Sequence, residues 1–238
     1  MRDHPFLLLW DIDGTIVHTG GAGMRAMFTV AHRMFGADFR WDGIEAAGHL
    51  DPLIFAEAAI LNCVENHEDR HEAFRDSYLA ELEKELRSNQ TKVHVPPGVH
   101  HMLALLHRRA REQGDVVLGL LTGNYRGAAP LKLAAAGVDP AWFTVTAFGD
   151  EGQTRADLVG LALRKFAGVL PVPAVDPRRV VVIGDTPRDV ACATAHGCVA
   201  LAVATGGYSV ETLRQAGADV VTPDLSNPRP LLDLLDPR

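Results

Sequence analysis

The sequence has 238 residues, with 23 Lys and Arg against 30 Asp and Glu, a formal net charge of −7. Apolar residues make up 47% and charged residues 22%, a balance that fits a packed globular chain and excludes extended disorder. The acidic surplus argues against nucleic acid and against anionic membrane as partners, although a local cation can still draw in an anionic substrate. Cys63, Cys192 and Cys198 are too scattered for a disulfide framework or a zinc site, which fits a reducing compartment.

In chain order, Phe6–Trp10 reads as a short strand, apolar throughout and buried on both faces. It is too short to span a membrane, and Asp11 ends it at once, so a cytoplasmic chain is expected. Helical spacing then runs over about Gly23–Phe35, Pro52–Cys63 and Glu68–Ser88, with no good strand between them. After Val95-Pro-Pro-Gly98 the pattern changes to alternation. The spacing predicts a helix over Val99–Gln113, a strand over Val116–Leu121, a helix over Ala128–Ala136 and a strand over Trp142–Phe148. A helix over Ala156–Phe166, a loop at Pro171–Pro177 and a buried strand at Val180–Ile183 follow. The last elements are Asp189–His196 (helix), Val199–Val203 (strand), Val210–Gln215 (helix), Asp219–Val221 (strand) and a weak helix at Pro230–Leu235.

Alternating apolar strands and helices imply a Rossmann-like three-layer α/β core with a mostly parallel sheet. The helix-only stretch is then an inserted α-helical cap domain. The expected division is a discontinuous core of residues 1–15 and 96–238 and a cap of residues 16–95. Active sites of such sheets lie beyond the carboxyl ends of the strands. Three strand ends carry chemistry here. Asp11 and Asp13 follow the first strand, where one carboxylate can attack and the other can move a proton, although Asp-Gly also makes an ordinary turn. Thr122, Gly123 and Asn124 follow Leu121 and can cradle a phosphate, or simply connect strand to helix. Asp185 and Asp189 follow Ile183, and their oxygens suit Mg²⁺; Asp189 can equally cap the next helix.

Together these segments resemble the haloacid dehalogenase-like hydrolases. Asp11-Ile-Asp-Gly-Thr15 is similar to their first motif, Thr122-Gly-Asn to their second and Gly184-Asp-Thr-Pro-Arg-Asp189 to their fourth. The resemblance spans nearly the whole chain and includes the position of the cap. It implies a phosphatase acting through an aspartyl-phosphate on a small phosphorylated metabolite, with Mg²⁺ as cofactor. Asp11 would be the nucleophile and Asp13 the acid–base group. Asp11, Asp185 and the Asp13 carbonyl would hold the metal, and Asp189 would order a metal-bound water. Thr122, with Gly123 and Asn124, would hold a phosphoryl oxygen. The family's usual third-motif Lys is missing. Arg155 is the best-placed substitute, its alternative being a surface pair with Asp157 or Glu151.

Asp13 argues against dehalogenation, since halide needs no proton, and the absence of Lys from Ile16 to Glu83 argues against a phosphonatase-type Schiff base. A phosphoglucomutase-like transferase stays open, as does a non-catalytic binding protein on the same scaffold. Specificity is expected from the cap, with Thr19, Arg25, His49 and Asp51 as candidate contacts. His67 and His71, at i and i+4, have zinc spacing but sit among acidic residues on a solvated helix. The chain is expected to work as a monomer or homodimer.

Overall fold

The computed structural model describes residues 4–88, 91–169 and 175–236. Six strands form one parallel sheet: β1 (Phe6–Trp10), β2 (Val116–Leu121), β3 (Val145–Ala147), β4 (Val180–Gly184), β5 (Val199–Val203) and β6 (Val220–Thr222). Their order is β3-β2-β1-β4-β5-β6. β1 is central because every residue in it is apolar and buried, so either edge can be covered. Its side chains alternate. Phe6, Leu8 and Trp10 join a core with the helices α4 (Val99–Glu112), α5 (Ala128–Ala135) and α9 (Arg229–Leu235). Leu7 and Leu9 join a second core with α6 (Arg155–Val169), α7 (Pro187–Ala195) and α8 (Val210–Gln215).

The register decides where the chemistry falls. Trp10 pairs with Leu120 on one side and with Ile183 on the other. Asp11, Thr122 and Asp185 therefore emerge at the same edge. The strand order reverses at β1, which opens a crevice there.

Between β1 and α4 lie α1 (Ala22–Phe35), α2 (Asp51–Leu61) and α3 (His67–Arg87). Ala26, Met27, Phe55, Phe74, Tyr78 and Leu82 build a third core there, into which Tyr125 and Ala128 reach from the sheet domain. This is the inserted helical cap. The chain leaves and re-enters the sheet domain side by side: His18 and His94 exchange both backbone hydrogen bonds, each 2.8 Å.

Most elements match the expected bounds to within a residue or two. The strand expected over Trp142–Phe148 is shorter, Val145–Ala147, because Asp139 caps a 3₁₀ turn at Pro140–Trp142 by accepting from Ala141 N. The loop expected at Pro171–Pro177 lies largely outside the described residues, and Pro177 opens a 3₁₀ turn. Among the described residues no helix is long and apolar enough to cross a membrane.

Candidate active site

The first loop folds around Asp185. Gly14 has a φ of +80°, and a β-carbon there, or at Gly206, would collide with the Asp185 carboxylate. Two glycines thus let backbone close over the acid from both sides. Thr15 Oγ1 donates to Asp185 Oδ1 at 3.0 Å. Asp11 sits next to this group, and its own N–H is held by the Ile183 carbonyl at 2.9 Å.

Asp11, Asp185 and Asp189 are all buried and offer carboxylate oxygens within 4.8 Å of one another. Burial pushes the Asp11 carboxyl up to about 6, with Arg155 opposing the rise. Burial, then Asp11 and Asp189, push Asp185 up to about 8. A concentration of hard anionic oxygens that resists ionisation is the donor set a small divalent cation relieves, so these residues fit Mg²⁺. Among the described residues His67 and His71 belong to no such group. His71 is bonded to Tyr125 Oη at 2.8 Å and stacked on Phe55.

Asp189 has both oxygens engaged. Oδ2 accepts from Thr186 N and Oγ1, closing a capping box at the start of α7. Oδ1 accepts from Arg155 at 2.5 Å. Arg155, the first residue of α6, also reaches Asp11 at 3.0 Å and the Gly48 carbonyl at 3.2 Å. The surface pairing is not adopted: Asp157 caps its own helix start through Gln153 N and Thr154 N, and Glu151 takes Arg126 and Lys165.

Thr122 is fully buried at the end of β2, and its Oγ1 accepts from Asn124 Nδ2 at 2.7 Å. Its proton therefore stays available. Asn124 Nδ2 also lies 2.7 Å from Asp13 Oδ2. Gly123 is where cap meets sheet domain: a β-carbon there would collide with the His49 carbonyl, and the Gly123 carbonyl accepts from Asp51 N at 2.7 Å.

One charged residue was invisible to the motif reading. Lys132, on α5, is buried, with Nζ 2.6 Å from Asp13 Oδ2 and 2.5 Å from Asn124 Oδ1. Burial lowers its pKa, but Asp13 and Asp51 outweigh that and raise it above the usual lysine value. In sequence it is a lysine in an apolar helix. Its only signal was the improbability of burying Lys without a partner.

The four candidate cap contacts separate. Thr19, His49 and Asp51 line a cavity of about 520 Å³ that also opens onto Asp11, Asp13, Thr122 and Arg155. His49 is paired with Glu57 at 2.8 Å. Arg25 does not line this cavity; it ties α1 to Glu85, the Gly20 carbonyl and Thr91.

Asp51 is buried, and Tyr125 N donates to its Oδ2 at 3.0 Å. Burial pushes its pKa up to about 7, with Lys132 opposing. Between about pH 4 and about 7 the unfolded chain ionises Asp51 while the folded chain keeps the proton, so stability falls as pH rises, by up to about 1.4 kcal/mol per unit. Asp51→Asn keeps an acceptor for Tyr125 and removes this slope. Urea midpoints measured across the window should show the variant gaining steadily on the wild type. Parallel curves would contradict the assignment.

The profile of the haloacid dehalogenase-like hydrolases matches residues 8–194. No curated protein matches the chain. Among solved structures, a hydrolase from Pseudomonas syringae is similar with TM-score 0.70 and 19% identity, covering 97% of this chain and 98% of that one. A predicted phosphoglycolate phosphatase from Haemophilus somnus gives 0.68 and 16%, covering 98% and 100%. CbbY from Rhodobacter sphaeroides, in complex with phosphate, gives 0.68 and 21%, covering 94% and 96%. These likenesses establish a shared fold; the match over residues 8–194, joined to the buried acidic site, establishes that the chain belongs to the haloacid dehalogenase-like hydrolases.

Proposed function

We propose that the protein is a Mg²⁺-dependent phosphatase that hydrolyses a small phosphomonoester through an aspartyl-phosphate. The observation that carries this reading is the buried set of Asp11, Asp185 and Asp189 around Arg155, at the mouth of a cavity large enough for a small metabolite.

Asp11 attacks phosphorus, and the bond from phosphorus to the ester oxygen breaks. Asp13 delivers a proton to that oxygen. Water then attacks the phosphorus of the aspartyl-phosphate, Asp13 takes the water's proton, and inorganic phosphate leaves. Lys132 and Asn124 both hold Oδ2 of Asp13, which leaves Oδ1 for this proton traffic. Thr122 and the backbone of Gly123 and Asn124 hold a phosphoryl oxygen. Asp11, Asp185 and the Asp13 carbonyl would hold Mg²⁺, which offsets the repulsion between the nucleophile and an anionic substrate. Asp189 acts as a positioning residue for Arg155 and, with Mg²⁺ bound, would help order its water. The cap, taken as residues 16–95, covers the leaving group and excludes water other than the hydrolytic one.

Phosphate release from p-nitrophenyl phosphate should disappear in EDTA and return with added Mg²⁺. Full turnover in chelator would remove the metal from the reading. A screen of phosphorylated metabolites, scored by inorganic phosphate, tests the reaction itself. A phosphoglucomutase-like enzyme would convert substrate without stoichiometric phosphate release.

A further inference from the structure

The cavity runs from the carboxylates to the cap, and at its cap end two hydrogen-bond donors meet. Tyr78, on the inner face of α3, lines the cavity, is fully buried, and has a hydroxyl without a partner among the described residues. An orphaned buried hydroxyl is uncommon and destabilising, so it calls for an explanation. Lys132 Nζ carries three N–H donors. Asp13 and Asn124 take two of them, and one remains. Both heads face the backbone of Gly23: a β-carbon there would stand 3.5 Å from Lys132 Nζ and 3.5 Å from Tyr78 Oη. Any larger residue at position 23 would fill the space they share.

We infer that Tyr78 and Lys132 form a leaving-group subsite that binds an oxygen acceptor, a hydroxyl or a carboxylate, carried by the phosphoester. The inference rests on the phosphatase reading for the other end of the substrate, where the phosphoryl group meets Asp11. The surroundings fit this class. Met24, Met27 and Ile54 supply apolar walls for a short carbon chain. Burial, and then Asp51 and Asp13, hold the Tyr78 phenol protonated and therefore a donor. The charge of Lys132 is already faced by Asp13, so the subsite suits a neutral hydroxyl as well as an anion. A purely alkyl leaving group would leave both donors unpaired on binding. Sites built this way reject the analogue that lacks the oxygen far more strongly than apolar pockets reject an extra one.

The test measures binding, so it does not depend on turnover. Propylphosphonate, hydroxypropylphosphonate and carboxyethylphosphonate have no hydrolysable ester bond and differ only at the far end. Calorimetry on the wild-type protein with Mg²⁺ should show at least one oxygenated probe binding at least about tenfold tighter than propylphosphonate, and the preferred probe names the group. Tyr78→Phe deletes an oxygen that makes no internal hydrogen bond, so its melting temperature should stay level or rise. That variant should lose most of the preference while binding propylphosphonate within about twofold of wild type. Equal affinity for all probes, binding of none, or a preference that survives Tyr78→Phe would overturn the inference. The phosphatase reading fails separately: a protein that shows the preference yet releases no phosphate from the corresponding esters keeps the subsite and loses the reaction.

Discussion

Asp11→Asn is expected to reduce phosphate release by at least about a thousandfold while leaving the protein folded. The amide has the carboxylate's shape but no electron pair basic enough to displace an alkoxide from phosphorus. The fold should tolerate the change, because burial already disfavours the charge on Asp11, lifting its pKa to about 6. The loss should therefore appear in kcat with the melting temperature shifted by only a few degrees. Protein quenched in acid during turnover should carry covalent phosphate in the wild type and none in the variant. Near-wild-type turnover in Asp11→Asn would assign the nucleophile elsewhere.

Arg155→Ala should damage both activity and stability. The guanidinium is buried between Asp11 and Asp189, at 3.0 and 2.5 Å, and its removal leaves two buried carboxylates facing each other. Breaking a buried pair on one side costs about 3–5 kcal/mol, which urea titration would register. kcat/KM should fall at least about tenfold. Arg155 also lowers the Asp11 pKa, so its loss should move the acidic limb of the kcat/KM profile to higher pH. Arg155→Lys restores the charge without the fork that spans two acids, and should recover part of the rate. A variant that is stable and fully active would move the cation's role to Lys132.

The two cations show how far sequence reading reached. Arg155 was picked out through the family resemblance, which usually places a Lys at the start of the helix before the fourth-motif strand; here Arg155 opens α6, ahead of β4, which ends at Gly184. Lys132 was not, because nothing within several residues of it marks a site. It belongs there only because α5 packs between sheet and cap, bringing Nζ to Asp13, more than a hundred residues earlier in the chain. Arg25 shows the converse. A cation in the first cap helix was a reasonable specificity candidate, yet the fold turns it to Glu85 and Thr91. Of the two readings open for Asp189, the helix cap is seen directly, since Oδ2 closes the capping box of α7; the pairing of Oδ1 with Arg155 was not expected from the sequence and comes from the packing of α6 against α7.

The sequence by itself determined the elements, their alternation, the helical insertion and the three acidic or hydroxyl strand ends. These rest on short-range physics: apolar runs that must be buried on both faces, helical periodicity, and turn residues that terminate strands. Only the tertiary structure decided which side chains meet. The parallel register of β1 with β2 and β4 sets Asp11, Thr122 and Asp185 at one edge. Cap docking through Gly123 and Asp51 then encloses Tyr78, Lys132 and Gly23 around one cavity. Such contacts join residues far apart in the chain, and no local pattern encodes them, because the energy that selects them arises only when the layers pack.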